Sequence, residues 1–221
     1  MPIVTWLAVG CGSGHEFAPG SEDAATAGRT KQGKKVDVEA YLFDAKLKRR
    51  GKPTSFRLDL LLADSSAALS GRGYLGKGAF KGVLSHDSLR VFFPSTNEYL
   101  SETVYDLLAS FSCRVPRSQV NLFDLLRSFP DSAALDRQFS VISNRLNPRR
   151  WKFGIYPRNC AWLLEITYKR QKGMWRVLGF VFEDGEGTSL KATRRKFRPE
   201  SKVRPDRLRL SLRGDAIRII P

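Results

Sequence analysis

Between Val36 and Ile220 apolar and polar residues mostly alternate, and the period lengthens in only one region. Alternation puts successive side chains on opposite faces of a strand, whereas a 3.6-residue period marks a helix. Val36–Arg49 sets Val36, Val38, Ala40 and Leu42 against Asp37, Glu39, Tyr41 and Phe43, which predicts a first strand with an irregularity near Asp44. Arg50-Gly51-Lys52-Pro53 predicts a turn. Ser55–Ala63 predicts a second strand, with Phe56, Leu58, Leu60 and Leu62 on one face and Arg57 and Asp59 on the other. Strands follow over Ala68–Leu75, Ala79–Ser85, Leu89–Phe93 and Glu98–Leu100. Their short connections predict an antiparallel meander.

Within this meander, Gly71–Pro94 holds Gly71, Gly73, Gly76, Gly78 and Gly82 among Tyr74, Leu75, Phe80, Val83 and Leu84. Glycine in a strand marks a bulge, a bend or a close approach of another group. Two readings follow. The sheet curves around an apolar ligand, or it bends over its own packed core.

Around Thr103 the period changes. Val104, Leu107, Leu108 and Phe111 recur at helical spacing, and so do Val120, Leu122, Phe123, Leu126 and Phe129 within Gln119–Phe129. Two helices here would cover an apolar sheet face. Strands then return over Val141–Leu146, Lys152–Tyr156, Ala161–Lys169, Met174–Phe182, Ser189–Phe197, Leu208–Leu212 and Ala216–Ile220. In Met174–Phe182, Trp175, Val177, Gly179 and Val181 share one face, with Phe180 and Phe182 opposite. The predicted class is mainly β within α+β: a strongly curved antiparallel sheet or incomplete β-barrel with a helical lid, as a single domain over residues 36–220.

Composition sharpens this picture. Of 221 residues, 42% are hydrophobic, enough for a substantial core, and fourteen Phe suit large sheet faces. The net charge of +16 is lopsided: residues 1–140 hold 18 Lys/Arg against 15 Asp/Glu, and residues 141–221 hold 20 against 7. A nucleic-acid or anionic membrane partner fits that charge, and so does simple solubility. The basic run Lys191–Arg198 could touch phosphates or serve as a solvated strand face. Cys11, Cys113 and Cys160 form no CxxC pair, and His15 and His86 are the two histidines, so a zinc cluster is not expected. A Cys113–Cys160 bridge requires an oxidising compartment. Gly71–Gly76 is neither a dinucleotide fingerprint nor a phosphate-binding loop with Lys-Ser/Thr. No acid/base or nucleophile constellation stands out, and His86 reads as an exposed turn residue. The chain is expected to be noncatalytic, without metal or cofactor.

The N-terminus adds one chemical feature. Met1–Gly10 is apolar and ends in Leu7-Ala8-Val9-Gly10-Cys11, small residues before a cysteine. This resembles a bacterial lipobox, in which Cys11 would be lipidated as the first mature residue. The apolar run is about ten residues with no preceding Lys or Arg, shorter than a full signal peptide. It therefore reads either as a truncated signal peptide over residues 1–10 or as a leader or tail with an incidental cysteine. Residues 11–35 are Gly/Ala/Ser/Thr-rich and read as a flexible tether.

Taken in order, LAVGC, SFRLDLLLAD, GYLGKGAFKGVLSHDSLRVFFPSTNEYLSE, VNLFDLLRSF, CAWLLEITY, MWRVLGFVFEDG, KATRRKF and DRLRLSLRGDAIRI resemble the LolA/LolB superfamily of bacterial lipoprotein carriers and receptors. The likeness is strongest to its poorly characterised outer-membrane lipoprotein branch, with Pro94, Asn97 and Tyr99 in the segment that leads into the helices. The resemblance implies an incomplete antiparallel barrel with a helical lid over an apolar interior. Its partners would be acyl chains, phospholipid or lipoproteins, together with an outer-membrane assembly partner; a nucleic-acid partner ranks below these. Cys11 would be the anchor, and Gly12 in place of Asp implies attachment to the outer membrane, facing the periplasm. The lining would come from alternating members of Leu60, Leu62, Tyr74, Leu75, Phe80, Val83, Leu84, Leu89, Val91 and Phe93. The lid would comprise Leu122, Phe123, Leu126 and Phe129, and Arg194, Arg195 and Lys196 would meet anionic headgroups. Two other functions compete: a structural or assembly lipoprotein with a filled core, and a basic nucleic-acid-binding β domain.

Overall fold

The computed structural model describes residues 35–73, 75–103, 106, 122–130, 139–157, 161–212 and 214–219. The leader, all of the tether but Lys35, Tyr74, all three cysteines and nearly all of the helix expected over Val104–Phe111 lie outside these residues. Among the described residues, twelve strands form one sheet. In chain order they are β1 (Val36–Arg49), β2 (Lys52–Leu62), β3 (Ser66–Arg72), β4 (Gly78–Ser85), β5 (Ser88–Phe93) and β6 (Glu98–Thr103). After helix α1 (Leu122–Arg127) come β7 (Phe139–Asn147), β8 (Arg150–Pro157), β9 (Leu163–Gln171), β10 (Met174–Glu183), β11 (Thr188–Val203) and β12 (Ile217–Ile219).

The spatial order is β12-β6-β5-β4-β3-β2-β1-β11-β10-β9-β8-β7. Two antiparallel meanders therefore meet where β11 pairs with β1, and of the described strands only β12 runs parallel to its neighbour, β6. These strands leave β12 and β7 as edges, so the barrel is incomplete. Two tight hairpins set the register. Arg50 and Gly51 have φ of 46° and 81°, and Lys172 and Gly173 have 48° and 82°. Two consecutive positive φ values make a two-residue turn whose twist matches that of its strands, and glycine takes the second position without strain.

The sequence phase fails in β1. The inward set is Tyr41, Phe43, Ala45 and Leu47, all buried. Tyr41 stands opposite Leu60 and Phe43 opposite Leu58, which fixes the odd residues to the apolar face. Of the even set, only Val38 is buried. β11 absorbs the mismatch: its register against β1 slips between Val38 and Ala40 and again between Leu42 and Phe43. Pro199 falls in the first slip, where it removes no ladder hydrogen bond. The strand expected over Leu208–Leu212 does not form. A 3-10 turn occupies Pro205–Leu208 and packs on β3, and residues 209–212 are outside any strand. Alternation alone makes no strand, because a strand also needs a ladder partner and residues 209–212 have none among the described strands.

The glycine-rich stretch makes a turn and close packing. A Cβ on Gly71 would overlap the Phe80 ring, which stands directly across the ladder and meets Phe56 edge-on at 6.1 Å. A Cβ on Gly82 would lie 3.1 Å from the Arg90 carbonyl oxygen. Both glycines let the strands curve inward without a collision.

A candidate ligand-binding face

The concave face is built from cross-strand rows. Tyr41, Leu60, Leu69, Gly82, Val91 and Leu100 stand opposite one another across β1 to β6. Phe43, Leu58, Gly71 and Phe80 form a second row, and Leu62, Ala67, Leu84 and Leu89 a third. Leu60, Leu62, Leu84, Val91 and Phe93 are buried, whereas Phe80 and Leu89 are half-buried and bridge two apolar clusters. Val83 is buried but pairs with Ala68 and Arg90, in the row beside these, and so points to the opposite face. Leu75 is 80% exposed on the turn before β4. The strand expected to reach Leu75 ends at Arg72, because Gly73 and Gly76 close a turn through Gly76 N–H donating to the Gly73 carbonyl at 3.0 Å.

Helix α1 lies against this face. Phe123 and Leu125 are buried, and Leu122, Leu126 and Phe129 are half-buried against the same core. Tyr168 OH donates to the Leu125 carbonyl at 2.7 Å. Phe129 meets the rings of Trp151, Tyr168 and Trp175 at 5.3, 5.2 and 5.8 Å. At the end of the helix Arg127 donates to the Asp64 carbonyl and carboxylate at 2.6 and 3.0 Å. The alternation predicts Phe180 and Phe182 on the face opposite Val177. The structure puts all three in one core, because the ladder with β9 slips between Val177 and Gly179. That bulge restarts the phase, and a Cβ on Gly179 would lie 2.6 Å from the Ala192 carbonyl.

The same bulge opens the sheet. β10 and β11 are joined only from Gly179 to Glu183, so the Met174 end of β10 diverges from β11. A cleft of about 470 Å³ lies at this opening, lined by Val38, Glu39, Leu62, Arg127, Met174 and Arg176. Arg176 pairs with Glu39 at 2.5 Å, and Tyr41 OH donates to the other Glu39 oxygen at 2.7 Å. Burial, then the Glu39 hydrogen bond, drives the Tyr41 pKa well above its ordinary range. Burial likewise raises that of Tyr168.

The basic triplet does not act as one surface. Arg194 pairs across from Phe43 on the inner side, donates to the Val177 carbonyl at 2.8 Å and lies over the Phe197 ring at 5.2 Å. It has no carboxylate partner among the described residues, and burial lowers its pKa. Arg195 occupies the bulge and points outward toward Asp44, and Lys196 is exposed opposite Leu42. A one-residue slip turns neighbouring side chains to opposite faces, which the run of charges could not reveal.

The Glu39–Tyr41–Arg176 cluster and the Trp151–Trp175 pair were not singled out by sequence. Alternation marked Trp175, but nothing linear marked the ion pair. Among the described residues no group of three His, Cys, Asp or Glu side chains could hold a metal, and no helix is long and apolar enough to cross a membrane.

No family model matches the chain, and comparison with curated proteins finds no match. Among solved structures, the chain is similar to an uncharacterized conserved protein from Thermus thermophilus, at 16% identity and TM-score 0.39, covering 81% of this chain and 90% of that one. A DUF1329 family protein from Desulfovibrio piger matches at 10% identity and TM-score 0.43, over 75% and 86% of the two chains. A candidate outer-membrane lipoprotein-sorting protein domain from Vibrio parahaemolyticus matches at 10% identity and TM-score 0.37, over 73% and 84%.

Proposed function

We propose that the protein is a noncatalytic, periplasm-facing lipoprotein that binds an acyl chain or a lipidated protein on its concave face and assists transfer to the outer membrane. The observation that carries this reading is a half-buried apolar rim beside an uncompensated cation. Leu69, Phe80, Leu89, Leu122 and Leu126 are packed on the core yet remain partly open, and Arg194 sits on the same face without a carboxylate among the described residues. An acyl chain laid on that rim gains roughly 0.8 kcal/mol per buried CH₂, enough to compete with a membrane over many methylenes. Arg194 would hold the chain's carboxylate or headgroup, and the β10–β11 opening would be the entrance. Cys11 would anchor the protein to the outer membrane.

Delipidated protein titrated with a fluorescent fatty acid tests the reading. Saturable binding is expected. Arg194→Gln should weaken it about tenfold, the scale of one lost charge-assisted hydrogen bond, and leave binding of a neutral fatty alcohol unchanged. Absence of saturable binding by the intact protein, together with no copurified lipid on extraction, overturns it. Burial of Phe123 and Leu125 supports the competing reading, an assembly lipoprotein whose helix simply fills the face. That reading predicts no uptake of either probe.

A further inference from the structure

A second cleft, about 560 Å³ in volume, lies between Arg195 of β11 and Gly73 and Gly76 beyond the end of β3. Its floor is a row of outward side chains: Asp44, Arg57 and Arg72 stand opposite one another on β1, β2 and β3. Arg195 reaches in from the β11 bulge to Asp44 at 3.8 Å. One position along, Lys46 stands between Ser55 on β2 and Lys191 on β11. The lining therefore contains Lys46, Arg57, Arg72 and Arg195 against Asp44 and Asp59.

The pairing is what makes this cleft unusual. Arg57 is directly opposite Arg72, and Lys46 directly opposite Lys191. Like charges in directly opposed positions weaken a sheet. Asp59 neutralises Arg72, accepting from both its Nε, at 3.0 Å, and its Nη2. Asp44 accounts for Arg195. Arg57 and Lys46 have no ion-pair partner among the described residues, so the cleft holds two cations in excess of its carboxylates.

We propose that this cleft binds a phosphate-bearing ligand, held by Arg57 and Lys46 with Arg72 on its far side. Arg57 and Arg72 are directly opposed, about 5 Å apart where their side chains leave the sheet, and Lys46 is the diagonal neighbour of Arg57, about 7–8 Å away and within reach of a long side chain. A planar carboxylate fills one guanidinium fork, whereas a tetrahedral phosphate offers oxygens to several donors at once. The two carboxylates inside the cleft disfavour a continuous polyanion and favour a compact ester. A lipid headgroup and a soluble phosphate ester supply the same group. Ala45 and Phe56 also line the cleft, but its charged donors stand on the face opposite Tyr41, Phe43, Leu58 and Leu60, so phosphate binding here and acyl binding on the concave face are tested separately.

The test uses the full chain at low ionic strength, where such contacts are least screened. Glycerol 3-phosphate and inorganic phosphate are titrated by calorimetry and thermal unfolding. Vesicles of phosphatidylglycerol in phosphatidylcholine are compared with phosphatidylcholine alone by co-sedimentation. The wild type should bind glycerol 3-phosphate and gain thermal stability, and Arg57→Gln should weaken binding at least about tenfold, as expected for a lost charge-assisted contact. In ligand-free buffer Arg57→Gln should melt near the wild-type midpoint, because it removes both the opposition to Arg72 on one side and the attraction to Asp44 on the other; this separates loss of the site from loss of the fold. Anionic vesicle binding that glycerol 3-phosphate displaces assigns the group to a lipid headgroup, and ester binding without vesicle binding assigns it to a soluble ligand. The proposal is overturned by ester affinity unchanged in Arg57→Gln, by a ligand-free midpoint for that variant well below the wild type's, by no response to any phosphate probe, or by single-stranded RNA binding that survives the substitution and excludes the ester.

Discussion

Removing the Phe129 ring should undock α1 without disturbing the strands. Phe129→Ala takes away one wall of a box formed by Trp151, Phe153, Tyr168 and Trp175, at centroid distances of 5.3, 6.0, 5.2 and 5.8 Å. A fully buried Phe→Ala change costs about 3–5 kcal/mol, and the half-buried position of Phe129 scales that to roughly 2 kcal/mol. Ring pairing adds up to about 1 kcal/mol beyond area burial. The helix spans only Leu122–Arg127 and has no stability of its own, so its docking depends on such contacts. Urea unfolding should show a midpoint lower by roughly 1 M, using a slope of about 2–3 kcal/mol/M. Tryptophan emission is the natural probe, because Trp151 and Trp175 both touch the deleted ring and lie 6.3 Å from each other. A red-shifted native emission should accompany the lower midpoint. A loss under about 0.5 kcal/mol with unchanged native emission would refute the docking of α1 through Phe129, since that is the scale of ordinary surface substitutions.

Other perturbations test separate parts of the fold. Gly71→Val should cost about 1–3 kcal/mol, because Phe80 must leave its place over the glycine; Gly78→Ala, with open space around it, should stay within about 0.5 kcal/mol by chemical denaturation. Glu39→Gln should destabilise by several kcal/mol at most, because Arg176, with 13% of its side chain exposed, loses its partner; Tyr41→Phe should cost only about 1 kcal/mol, and the reverse ranking would remove Glu39 as the hub of the cluster. Burial pushes the Glu165 carboxyl up, but hydrogen bonds from Lys152 and Tyr156 outweigh it and hold the pKa below the ordinary 4.5. Those bonds are 2.7 and 2.6 Å long, and the one to Tyr156 raises the phenol to about 12. A depressed carboxyl contributes stability that is present above 4.5 and fades as pH falls through its folded value, so Glu165→Gln should flatten the acid limb of a stability–pH curve below 4.5 and leave its shape near neutrality unchanged.

Much of the sheet is legible from alternation. β2 shows its inward set without error, because Phe56, Leu58, Leu60 and Leu62 are all apolar and are separated by polar or charged residues over most of the strand. β1 is harder, since both its sets contain apolar residues, and only pairing with Leu58 and Leu60 selects Tyr41 and Phe43. β10 misleads for another reason: an extra residue between Val177 and Gly179 lets residues of both parities reach one core. Charge runs carry least information about placement. Arg194, Arg195 and Lys196 are adjacent in sequence, yet a bulge sends the first inward and the others outward.

The linear pattern is enough to set the class of the protein: short alternating segments between turn residues produce an antiparallel sheet, and a lengthened period around Leu122–Phe129 produces a helix on its apolar face. Those are local consequences of where side chains point along an extended or helical backbone. The pattern also sets where the chain turns sharply, at Gly51 among other sites, because few residues tolerate that backbone. Strand pairing settles the rest: which of two apolar sets faces inward, where β10 parts from β11, and which cations lack a counter-charge. Each of these depends on register between segments far apart in the chain. One slipped residue reverses a face, and a pair such as Arg57 and Arg72 becomes opposed only after β2 and β3 have chosen their alignment.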